Sequence, residues 1–134
     1  IGTNDLRSKL FSEIINIGFL SPIVISPIAY VSPHAVVGKG TVVMHRATIN
    51  AGARIGDNCI INSHALIEHD VVVEDHCHIA TSAIINGGST VGKSSFVGSG
   101  TTIRESITIG QSCSIGMGIS VRRDLPPNSQ FAGE

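Results

Sequence analysis

Tryptophan is absent from this 134-residue sequence, and aromatic residues make up only 4% of it. With so few flat side chains, recognition of nucleic acid by base stacking is excluded. Positive charge is not in excess either. Nine basic residues stand against ten acidic ones, and no basic cluster exists to follow a phosphate backbone. The apolar fraction is 42%, yet no run approaches the roughly 18–20 residues a membrane span needs. The 3 cysteines are an odd number without CxxC spacing, which argues against a disulfide framework or a zinc knuckle. One reduced, cytoplasmic domain is the expectation. The opening "IGTND" lacks methionine, does not resemble a signal peptide, and reads as cut from something longer.

What is present is a period. Every sixth residue from Ile25 to Val121 is Ile or Val, without an insertion. Two residues before each stands a mostly small one, such as Ala29, Ala47, Cys59, Ala65, Cys77, Ser95 or Cys113. No helix or flat strand repeats every six residues. A short strand followed by a tight turn does, with the small residue and the aliphatic on one face because side chains alternate. Gly, Asn, Asp and Ser fill the turns, where their backbone tolerance is needed. Three sides close a triangular coil, and stacked coils pair each strand with those above and below. This predicts an all-β parallel β-helix of hexapeptide repeats over residues 23–123, with 124–134 as a C-terminal tail. Cys59, Cys77 and Cys113 fall in the inward slot and read as packing residues.

The first 22 residues differ. "NDLRSKLFSEIINIGF" predicts a helix, with Asn4 or Asp5 as N-cap and Gly18 at its end. Leu6, Leu10, Phe11, Ile14 and Ile15 form its apolar face, which needs a partner. Residues 1–22 read as the end of an α/β domain.

The hexad count also sorts the histidines of "IEHDVVVEDHCHIA" (67–80). His69 lies at a corner between Glu68 and Asp70, so a carboxylate can orient its ring and raise its basicity. His34 and His76, also at corners, read as solvated. His45 and His64 lie about one coil apart, where imidazoles from several copies could hold zinc. His78 lies on a flat face, in an outward ladder of Val42, Ile60, His78 and Phe96. Such an apolar stripe needs cover, and a neighbouring identical subunit in a cyclic trimer is the economical one.

The segment "INSHALIEHDVVVEDHCHIATSAIINGGSTVGKSSFVGSGTTI" and the following "IGQSCSIGMGISVRRDLPPNSQFAGE" resemble the hexapeptide-repeat acyltransferases. Within them the chain is similar to the branch of sialic acid O-acetyltransferases and N-acetyltransferases of UDP-4-amino-dideoxy sugars. The resemblance implies a left-handed coil, a homotrimer, and a helix that closes a truncated Rossmann-like domain for the sugar nucleotide. It implies acetyl-CoA as donor, no metal, and a sugar or nucleotide-sugar acceptor acetylated on nitrogen or oxygen. His69 matches the general base and Asp70 the carboxylate behind it. His78, Ser99 of "VGSG" and Met117 of "IGMG" match coenzyme contacts, and Gly2 of "IGTN" matches a sugar-nucleotide contact. Ser99 stands where the family usually carries a larger apolar residue. Two other readings stay open on sequence: a metalloenzyme like the γ-type carbonic anhydrases, and a non-catalytic trimeric scaffold.

Overall fold

The computed structural model describes residues 1–133; residue 134, the last of the expected tail, lies outside the described residues. Each repeating aliphatic ends a two-residue strand, from β1 (Val24–Ile25) in unbroken succession to β17 (Ser120–Val121). The ladder has an 18-residue register: Val24 faces Val42, Val42 faces Ile60, and His78 lies between Ile60 and Phe96. All pairs are parallel, in sheets of seven, six and five strands that form the first, second and third sides of a left-handed β-helix.

The corners explain the period. From Gly40 to Gly118, every residue three after an aliphatic has positive φ, including His64 (59°), Asp70 (59°) and His76 (62°). That conformation is cheap for Gly and tolerated by Asn, Asp and His, which fill nine of these fourteen corners; Ser and Arg46 fill the other five. Between corners the aliphatics from Val43 to Val121 are at most 3% exposed. Each such burial contributes about 1.5–3 kcal/mol, so this column dominates the fold. Ile25 is exposed, because no coil lies beneath it.

Buried hydroxyls in the small slot are satisfied in one repeated way. Thr41 Oγ1 donates to the Gly56 carbonyl at 2.8 Å and accepts the Cys59 N–H at 2.9 Å. Ser89, Ser95 and Thr101 bridge the coils likewise. Cys59, Cys77 and Cys113 fill equivalent slots, buried and unpaired as disulfides.

The structure differs from expectation in three places. The segment expected to be a tail continues the coil: Leu125 bridges to Ile109, and β18 (Gln130–Phe131) pairs with Ser114–Ile115. The side after Val121 is two residues short, so the sixth position is Pro127 and the pattern hides the aliphatic at 125. Helix α1 spans Asn4–Ile17 with Thr3, rather than Asn4 or Asp5, at the N-cap; Gly18 closes it with φ 99° as expected. Asn4 is instead engaged with the coil, donating to the Ser94 and Ser95 carbonyls at 3.0 Å. Leu10, Phe11 and Ile15 are half-buried, but Leu6 and Ile14 are exposed, and the buried residue of α1 is Arg7. Among the described residues no helix is long and apolar enough to cross a membrane.

Candidate functional site

The corner joining β8 (Leu66–Ile67, second side) to β9 (Val72–Val73, third side) carries Glu68, His69 and Asp70. Asp70 is the left-handed residue of this turn. Its carboxylate folds back, and Oδ2 lies 3.0 Å from His69 Nδ1. Accepting Nδ1–H leaves the lone pair on Nε2, the arrangement a general base needs. Glu68 is held separately by Asn50 Nδ2 at 2.9 Å. His69 and Asp70 side chains are 67% and 71% exposed, so the imidazole is open to a second reactant.

Gly87, one coil above His69, was not singled out by sequence reasoning. A methyl group there would lie 2.6 Å from His69 Nε2 and 2.7 Å from Cε1. Its φ is ordinary, so glycine is required here by space rather than by backbone conformation. The neighbouring corners carry Ala51, His69 and Glu105 at the equivalent position, and only 87 is bare. Gly87→Ala is expected to leave the fold intact and push the imidazole off its seat, so that a reaction in which Nε2 serves as base would slow about 100-fold. Steady-state kinetics beside a circular-dichroism melt check this.

His78 occupies a different edge. It lies on β10 (His78–Ile79, first side), edge-on to Phe96 with ring centroids 5.2 Å apart. Nδ1 faces the Gly2 carbonyl at 3.4 Å, and Nε2 faces Asn62 Nδ2 at 3.3 Å. This pairing fits a neutral ring with its proton on Nδ1 and its lone pair on Nε2. Desolvation lowers its pKa below the ordinary 6.5, which favours that neutral form. Val42, Ile60 and Phe96 around it are half-buried, so this stripe is partly covered within the chain. Gly2 contributes, since its carbonyl lies against the His78 ring.

Ser99 and Met117 lie one coil apart on the corner between the first and second sides, where the Gly118 N–H donates to the Ser99 carbonyl at 2.9 Å. Next to them the corner dwindles from Asn62 through Ala80 to Gly98 and Gly116, leaving bare backbone. A cleft of about 500 Å³ lies at its upper end, lined by Met117, Arg122, Arg123 and Phe131 among others. The structure therefore gathers Gly2, Asn62, His78, Ser99 and Met117 along one edge. It leaves His69 and Asp70 at the corner across the triangle from the first side.

Two other histidines are engaged elsewhere. His45 Nδ1 lies 2.7 Å from Ser26 Oγ. His76 is not solvated as expected: it is buried, bonded to Asn58 at 2.8 Å and packed edge-on against Phe11 of α1. Among the described residues no three His, Cys, Asp or Glu side chains converge as a metal site.

The sequence matches the bacterial transferase hexapeptide family (six repeats) over residues 34–69 and 52–87. Among curated proteins none matches it. Of solved structures, a variant of perosamine N-acetyltransferase from Caulobacter crescentus, in complex with CoA and GDP-perosamine, is similar at 38% identity and a TM-score of 0.97. That match covers 100% of this chain and 63% of the relative. The acetyltransferase domain of PglB from Neisseria gonorrhoeae, in complex with acetyl coenzyme A, is 31% identical at a TM-score of 0.97. It is covered to 65%, and this chain to 100%. The chain thus spans less than two thirds of either relative.

Proposed function

We propose that this chain, which carries bacterial transferase hexapeptide repeats and is similar to acetyltransferases of known structure, is the coenzyme-binding and catalytic part of an enzyme that moves an acetyl group from acetyl-CoA to the amino group of a nucleotide-linked amino sugar. The observation that carries this reading is the His69–Asp70 pair, with Nε2 over the bare backbone of Gly87. Similarity to an enzyme holding CoA and GDP-perosamine supports the donor and the class of acceptor.

In the mechanism, the acceptor amine attacks the thioester carbonyl of acetyl-CoA. His69 Nε2 takes the proton that the amine loses, while Asp70 steadies the imidazolium through Nδ1. Collapse of the tetrahedral intermediate breaks the C–S bond, and the departing thiolate recovers a proton from His69. No protein nucleophile is required, which fits three cysteines that are all buried. His78, Ser99 and Met117 hold the coenzyme, and Gly2 lies beside the sugar nucleotide. His69 and His78 sit on different sides of one coil, so the complete site takes His69 from one subunit of a homotrimer and His78 from the next. Residues 1–22 link the coil to a unit that binds the sugar nucleotide; the exposed Leu6, Ile14 and Ile17 on α1 support a covering partner there. Reduced cysteines suit a cytoplasmic location.

The test is calorimetric titration with acetyl-CoA, followed by assay of thiol release with GDP- and UDP-linked 4-amino sugars, on the full-length protein. Saturable coenzyme binding and amine-dependent thiol release are expected. Absence of both would end the proposal.

A further inference from the structure

A buried charge lies outside this chemistry. Arg7, in the first turns of α1, is only 9% exposed, and burial pulls its pKa down from the ordinary arginine value. No carboxylate pairs with it among the described residues. Its fork is filled almost wholly by backbone carbonyls. Nε donates to Asn58 at 3.1 Å, and Nη2 donates to His76 at 2.8 Å and Cys77 at 3.2 Å. Nη1 donates to Ile1 at 3.1 Å and Gly2 at 3.3 Å, and Asn4 Oδ1 accepts from Nη2 at 2.9 Å.

Three of these acceptors flank one ring. Residues 76 and 77 form the corner that leads directly into the strand of His78, and the Gly2 carbonyl faces His78 Nδ1. We propose that Arg7 is a positioning residue for His78. One end of its guanidinium fixes the backbone that carries the imidazole, and the other fixes the carbonyl that receives Nδ1–H. Nε2 is thereby presented to Asn62 and the coenzyme edge as a hydrogen-bond acceptor. A docking helix needs only apolar contacts; a six-contact fork reaching both sides of one imidazole does more. Lysine cannot reproduce it, because an ammonium is a point donor without the planar spread of five N–H groups. Without the clamp the Gly2 carbonyl is free to leave, and the ring reverts towards the Nε2–H tautomer that histidine prefers in water. It then offers a donor where an acceptor is needed.

The inference rests on the reading of His78 as a coenzyme contact, but its test does not depend on turnover. Long-range proton–nitrogen correlation spectra of histidine-labelled full-length protein report each ring's tautomer, with His78 assigned by the signal lost in His78→Gln. Wild type is expected to show His78 with the proton on Nδ1. Arg7→Lys, or Arg7→Met if the lysine variant does not fold, is expected to shift it towards Nε2–H. kcat/KM for acetyl-CoA should then fall about tenfold, because a donor stands where the coenzyme edge needs an acceptor. A wild-type ring protonated on Nε2 overturns the proposal whether or not any variant folds. So does an unchanged Nδ1–H ring in a folded Arg7 variant. A tautomer that shifts as expected in a protein that never binds acetyl-CoA supports the positioning role and removes only the enzymatic reading.

Discussion

Deletion of Ser63 is expected to abolish the fold. Ser63 lies in the corner after Ile61, and its loss advances every later residue by one position. Side chains alternate along a strand, so a one-residue slip turns the inward set outward. Glu68, Glu74, Arg104 and Arg122 would then occupy slots now held by Ile67, Val73, Ile103 and Val121, all at most 1% exposed. Leu66 and Phe96 would enter the small slots of Ala65 and Ser95. Burying an unpaired ion costs several kcal/mol, and a domain has only about 5–15 kcal/mol of stability in all. The chain could instead absorb the loss at the corner, but that forfeits the Ser63 carbonyl that receives the Ser82 N–H and the left-handed turn at His64. No cooperative thermal transition is expected from the deletion, whereas Ser63→Gly melts like wild type. A cooperative melt of the deletion with an unchanged far-ultraviolet spectrum would contradict the architecture.

That sensitivity is also why the fold was so legible. Seventeen-fold repetition is unnecessary to see it: an unbroken sixfold count with small residues two before each aliphatic leaves room for one topology. Legibility failed where a residue left the hexad count or where its partners leave no mark in the sequence. Arg7 hid because a buried cation breaks the helical pattern, and its partners are carbonyls, which every residue carries. Phe131 hid because a shortened side moved it off the count. The pair His69–Asp70 could be read because its members are adjacent in sequence and the turn demands a left-handed residue at 70. Gly87 and Asn62 could not. One acts by being empty space, and the other reaches its histidine across a coil.

His69→Ala is expected to lower kcat by about two to four orders of magnitude, the usual contribution of a positioned general acid–base group. The imidazole is exposed, so truncating it removes little packing, and thermal stability should be nearly unchanged. Affinity for acetyl-CoA should also hold, because His78, Ser99 and Met117 lie on another edge. Asp70→Asn should cost less: asparagine also tolerates the left-handed turn and still accepts Nδ1–H, but its neutral amide no longer steadies the imidazolium. Wild-type turnover in His69→Ala would remove the mechanism.

The central claim is that acetyl transfer occurs where His69 of one subunit meets His78 of another. Its most direct measurement mixes two dead proteins. His69→Ala and His78→Ala chains, each nearly inactive alone, are unfolded together in equal amounts, refolded, and assayed with acetyl-CoA. In randomly assembled cyclic trimers, about a quarter of the sites receive both intact residues, and activity should recover to about that fraction of wild type. If His69 and His78 served one site from the same chain, no mixed trimer could hold a complete one. Background activity in verified mixed trimers would therefore contradict the account.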